Sequence, residues 1–185
     1  MHLTTDISFT RYFIAFAAVM TSRNVVEYFI KPRTGKKEKY GPQDKLTLLT
    51  FLLSYLVSAA AVGVYLLTDK NTNPLSFYAG ATVILVGFAG RAAAMRKISS
   101  SYRQSMTPGI NAVLVTDGIY GMMRHPLYVF YALEMLGLFL VRLNWVSFFM
   151  LAVNLMNTAY RISKEEKLLS DKYGEQYKAY CRKYK

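Results

Sequence analysis

The sequence predicts an all-α, multi-pass membrane protein of about five spans that ends in a helical hairpin. Three observations lead there. The chain of 185 residues is 53% hydrophobic and 15% aromatic, with positive mean hydropathy, a balance foreign to an ordinary soluble domain. Its apolar residues gather into separate runs, several of them long enough at ~1.5 Å per residue to cross ~30 Å of hydrocarbon. Its 23 Lys and Arg residues, for a net charge of +12, fall in alternate gaps between those runs, as the positive-inside rule requires. A basic face for nucleic acid would distribute its cations otherwise, and no nucleic-acid-binding motif is present. The single cysteine, Cys181, excludes an intramolecular disulfide framework and a Cys-rich metal centre, so no metal site is expected.

The first span runs from about Ile7 to Ile30. The first ten residues of the chain lack the Lys or Arg of a secretory n-region, and the apolar pattern of this run continues past Val25, so it reads as a retained span. Arg23 and Glu27, spaced i,i+4, share a helix face and can neutralise one another. Lys31 to Pro42 is a basic loop punctuated by Pro32, Gly35, Gly41 and Pro42. Asp44 to Thr68 is the second span, whose Ala59 to Ala61 and Gly63 surface permits close helix approach. After the turn Asp69 to Asn73, the third span runs from about Pro74 to Met95 and is closed by Arg91, Arg96 and Lys97. Gly87 and Gly90 within it superficially suggest a dinucleotide loop. Without Gly-x-Gly-x-x-Gly or a βαβ context they read as helix-packing positions.

Ser99 to Asp117 is the longest connection, and long ordered connections are usually functional. It leads into Gly118-Ile-Tyr-Gly-Met-Met-Arg-His-Pro-Leu-Tyr128, which gathers a cation, an imidazole and two phenols between apolar segments. Arg124 and His125 there either meet lipid headgroups or belong to a functional site. Pro126 to Val141 and Trp145 to Ala159 are two short apolar runs joined at Arg142 to Asn144, the expected hairpin. Glu134 lies midway along the first arm, where an ionisable group implies either a function or a buried partner. Alternation of charge puts Lys31 to Lys45, Arg91 to Arg124 and Lys164 to Lys185 on the cytoplasmic side, with the N-terminus outside and the C-terminus inside. The whole chain, 1–185, reads as one membrane domain.

Beyond the hairpin, Arg161-x-x-x-Glu165-Glu166-x-x-Leu169 and Tyr173-Gly174-x-x-Tyr177 complete a pattern begun by Leu114-Val-x-x-Gly118-x-Tyr120 and Arg124-His-Pro-x-Tyr128. Over roughly the last 75 residues this ordered set resembles the isoprenylcysteine carboxyl methyltransferase family. The resemblance implies a multi-pass membrane enzyme that binds S-adenosyl-L-methionine in a cytoplasmic pocket without a Rossmann domain, with residues 1–98 as scaffold and 99–185 as the cofactor-binding, catalytic region. It implies that Ala112, Val113, Leu114, Val115, Tyr120, His125, Pro126, Leu127, Tyr128 and Glu165 contact cofactor and that Arg161 faces the methyl acceptor. Ala112-Val113 replaces the His-Thr of better-known members, removing two side-chain contacts, and a family Gln would align near Gln104 or Ser105.

Independently of the resemblance, Arg161 and Glu165 share one helix face, one turn apart. A carboxylate there suits a cationic cofactor, and the Arg fork suits a carboxylate acceptor. The implied acceptor is lipid-like, a prenylcysteine carboxylate being the familiar example, with an amine or thiol also open, and no obligate protein partner is evident. The rival readings are an NADPH-dependent reductase related to the sterol reductases, which a basic pocket for a 2′-phosphate would favour although the sequence shows no dedicated one, and a non-catalytic membrane scaffold.

Overall fold

The computed structural model describes residues 73–98, 113–141 and 143–183, with Ile14 and Leu49 as single helical positions. The first two predicted spans, the basic loop between them, and positions Gln104, Ser105 and Ala112 lie outside the described residues. Within the described residues all regular structure is helical: α1 (Pro74–Ile98), a 3₁₀ turn (Gly118–Gly121), α2 (Pro126–Val141), α3 (Trp145–Tyr173) and α4 (Glu175–Arg182).

Each helix starts where local chemistry dictates. Asn73 Oδ1 accepts the Leu75 amide at 2.9 Å ahead of Pro74, and Asn144 Oδ1 accepts the Ser147 amide at 2.7 Å, so Asn caps satisfy amides that have no intrahelical acceptor. Pro126 opens α2, where its missing N–H costs nothing. Gly174, at φ 52°, ends α3 in the left-handed region that favours glycine.

Of the described helices, α1 is the one long and apolar enough to span a membrane by length and composition. α2 is shorter at 16 residues. The expected short run at 145–159 proves to be the first half of a helix of 29 residues. No Gly or Pro interrupts Ala159 to Tyr173, so the helix carries Arg161 and Glu165 on the same rigid rod as the apolar arm.

α2 packs along α1 and more sparsely against α3. Small residues set the first contact. A Cβ on Gly87 would lie 2.8 Å from the Phe130 carbonyl, and Gly80 and Gly137 face one another so closely that neither tolerates a side chain. Gly87 and Gly90, both read as helix-packing positions, lie against Phe130 of α2, while Gly63 lies outside the described residues. Around them Ile84, Tyr131, Met135 and Val141 form the apolar core.

Two polar links cross this interior. Glu134, 1% exposed, accepts a 2.8 Å hydrogen bond from Arg91 Nε, which supplies the buried partner that one of the two readings of Glu134 expected. Arg91 is therefore an interior residue, 5% exposed, and not one of the cations closing the span; Arg96 and Lys97 alone occupy the last turn. Nearer α3, Tyr131 Oη donates to Asn154 Oδ1 at 2.8 Å. Elsewhere Leu75, Leu85, Val86, Trp145, Phe148, Phe149 and Met156 are exposed on the described helices, a density of large apolar side chains that suits lipid rather than water.

Candidate active site

The site is assembled where the loop ahead of α2 meets the second half of α3. Residues 113–117 approach without regular structure, with Val113 exposed and Leu114 and Val115 partly buried. Asp117 forms an ion pair with Lys97 at the end of α1, and this neighbour holds the Asp117 carboxyl below its usual range. Gly118 follows at φ 60°, starting the 3₁₀ turn in a conformation that L-residues resist. The turn buries Tyr120, whose carbonyl accepts a 2.7 Å hydrogen bond from Tyr180 Oη of α4.

Glu166 gathers the Arg-His pair. Its Oε1 lies 2.8 Å from the Arg124 guanidinium and 3.1 Å from His125 Nε2, so one carboxylate orients both neighbours. Arg124 also reaches the Cys181 sulfur at 3.7 Å. That contact, together with Glu166, raises the Arg124 pKa further and keeps it cationic. Burial, with Cys181 and Glu166 nearby, pushes the Tyr177 phenol upward as well, so it stays neutral.

In the first turn of α2, Tyr128 lies within electrostatic reach of the side chains of both Glu165 and Arg161. His125 packs beside it with ring centroids 6.0 Å apart. Tyr128, Arg161 and Glu165 thus form one cluster, while Arg124, His125 and Glu166 form a second beside it. Pro126 is buried beneath them and Leu127 partly so. Of the described residues expected at the cofactor, Val113 is the outlier in exposure at 71%.

Sequence reasoning gave no role to Glu166, Tyr180 or Cys181. Glu166 carried a signal, since it adjoins Glu165 in the Arg-x-x-x-Glu-Glu motif, but local spacing pairs only Glu165 with Arg161. Tyr180 and Cys181 act across about 60 residues of chain, a separation that helix periodicity does not encode.

Chemically, the first cluster offers a carboxylate, a phenol and a guanidinium at one depth, next to the polar end of a helix whose other half is apolar. A sequence model of the phospholipid methyltransferase family matches residues 75–176, which includes both clusters and the helices that carry them. The chain belongs to this family. The phospholipid methyltransferase family comprises integral membrane methyltransferases and includes the isoprenylcysteine carboxyl methyltransferases. No curated protein matches the chain individually. Membership accounts for the juxtaposition of apolar helices with a polar cluster, which a simple scaffold does not need.

Proposed function

We propose that this protein is an S-adenosyl-L-methionine-dependent methyltransferase of the membrane, in which Glu165, Tyr128 and His125 line the cofactor side and Arg161 orients a lipid-like acceptor. The single observation behind the reading is the convergence of Arg161 and Glu165 on Tyr128 within the region that matches the family. The cofactor, when bound, supplies the electrophilic sulfonium methyl. The fit is chemical: Glu165 offers negative charge to a cationic ligand, and His125 and Tyr128 offer ring surface beside it.

The chain's own residues supply position and exclusion of water. Arg161 presents a fixed fork to an acceptor carboxylate, aligning one oxygen for in-line attack. A carboxylate is already ionised at neutral pH, so no general base is needed, and His125 is free to act as a contact held by Glu166. An amine or thiol acceptor would in addition have to lose a proton, and a carboxyl is therefore the preferred class. In this reading residues 99–185 form the catalytic region, residues 1–98 the scaffold, and five spans leave the C-terminus on the cytoplasmic side.

A second reading has one observation in its favour. Arg124, Lys167, Lys178 and Arg182 line a basic groove between α3 and α4, which sequence inspection did not foresee and which could take the 2′-phosphate of NADPH in a reductase. Calorimetric titration of the detergent-purified protein separates the two. Saturable binding of S-adenosylhomocysteine without binding of NADPH is expected. Binding of NADPH alone overturns the methyltransferase reading.

A further inference from the structure

The basic groove has a volume of about 600 Å³, and its position relative to the Arg161–Glu165 cluster follows from helix geometry. At about 100° per residue, Asn154, Thr158, Arg161 and Glu165 fall within about 60° of one another around α3, while Ser163, Lys167 and Ser170 centre about 180° away. Burial agrees: Asn154 and Thr158 are buried, Ser163 and Lys167 exposed. The groove therefore opens on the opposite face of α3 from the proposed methyl-transfer cluster.

Its chemistry is that of a phosphate site. Four of its lining side chains are cationic, and the one acidic lining residue, Glu166, is already engaged by Arg124 and His125. Lys178 and Arg182 contact Glu175 at 2.7 and 3.6 Å, but all three are exposed, and such surface pairs are weak enough for a phosphate to displace. The Arg124 side chain is 36% exposed at the base of the groove, anchored on one side and open to a ligand on the other. Tyr177, buried, forms part of the wall.

Location selects the kind of phosphate. The groove lies on the polar second half of α3, a continuous helix whose first half exposes Trp145, Phe148, Phe149 and Met156. A helix apolar at one end and basic at the other holds its basic end at the level of lipid headgroups. We propose that the groove between α3 and α4 binds the phosphate of an anionic phospholipid from the surrounding leaflet, at a site separate from the methyl-transfer face. Charge complementarity selects an anionic headgroup over a zwitterionic one, whose amine the four cations would repel. Occupancy would bear on Arg124, which shares Glu166 with His125, so the bound headgroup lies one carboxylate away from the proposed cofactor side.

The test uses full-length protein in detergent, titrated calorimetrically with dihexanoylphosphatidylglycerol, dihexanoylphosphatidylcholine, inorganic phosphate and NADPH. The variant is Lys167→Gln/Lys178→Gln/Arg182→Gln, which leaves Arg124 and both clusters intact; S-adenosylhomocysteine binding and thermal unfolding, expected to be unchanged in the variant, show that it is folded. Saturable phosphatidylglycerol binding is expected, weakened about a hundredfold in the variant at roughly fivefold per basic side chain, together with little binding of phosphatidylcholine. Equal affinity for the two lipids, or an unaltered variant, overturns the site. Inorganic phosphate binding as tightly as phosphatidylglycerol shows a free-anion site and overturns the lipid assignment. NADPH binding that depends on the same three cations assigns the groove to a nucleotide instead. Failure of S-adenosylhomocysteine to bind, with phosphatidylglycerol binding intact, would count against the proposed enzymatic function and not against this groove.

Discussion

At the scale of single residues, Arg161 and Glu165 are one turn apart and both interact with Tyr128, yet the proposed chemistry divides them between acceptor and cofactor. Their substitutions should fail differently. Glu165→Gln removes a charge facing a cationic cofactor, and loss of one charge-assisted hydrogen bond, about 1.5–3 kcal/mol, should weaken S-adenosylhomocysteine binding roughly ten- to a hundredfold. Arg161→Lys keeps the charge and loses the fork, so cofactor affinity should persist while turnover collapses, because misorientation of the acceptor acts on the transition state. Cofactor titration beside methyl transfer from radiolabelled S-adenosylmethionine to a panel of amphiphilic acids, amines and thiols reads both. The reverse pattern exchanges the two roles, and normal transfer by both variants makes the pair structural. This pair was legible in the sequence because both members lie on one helix at a spacing that periodicity reveals. Glu166 was not, although it stands next to Glu165, because its partners Arg124 and His125 lie some 40 residues away on a loop whose approach depends on the tertiary fold.

At the scale of elements, the helix starts were legible and the interior electrostatics only partly. Asn73-Pro74 and Pro126 mark their helices by chemistry confined to one turn, which is why the boundaries at Pro74 and at Pro126–Val141 agree with expectation. The length of α3 was underestimated because loss of apolar character after Ala159 ends a membrane run without ending a helix. Arg91 was misplaced for a related reason: an Arg near the end of an apolar run resembles a flanking cation until its partner is known, and Glu134 belongs to another helix. The pair tests how such an interior is held. Breaking a buried ion pair by removing one partner leaves an uncompensated charge and costs about 3–5 kcal/mol, whereas replacing both by apolar groups of similar volume is often neutral or stabilising. Glu134→Gln should therefore lower the unfolding temperature in detergent markedly, and Arg91→Met/Glu134→Leu should recover most of the loss. If Glu134→Gln abolishes methyl transfer with stability intact, the residue has a functional task beyond its clasp on α1.

At the scale of the whole molecule, the candidate site makes sense only with respect to a membrane plane. α1 and α2 are joined by close glycine contacts and a buried ion pair, forming a rigid apolar pair. The loop ahead of α2, the second half of α3 and α4 collect the polar clusters at one end of it. Lys97, paired with Asp117 at that end, places the last turn of α1, with Arg96 and Lys97, beside the loop that leads to Arg124. The positive-inside rule leads us to expect a cationic end of this size on the cytoplasmic face, and the proposed five-span topology then predicts the side of each other connection. Cysteines introduced singly at Lys37 and Lys70, in a Cys181→Ala background, should react with a membrane-impermeant maleimide from opposite faces, Lys37 from the cytoplasmic side and Lys70 from outside. Labelling of both positions from the same face would remove a span between them and reverse the side on which one half of the chain meets water. The site would then still lie at the basic end of α3, and the expected cytoplasmic cofactor entry rests on Lys183, whose cysteine substitution should react from the same face as Lys37.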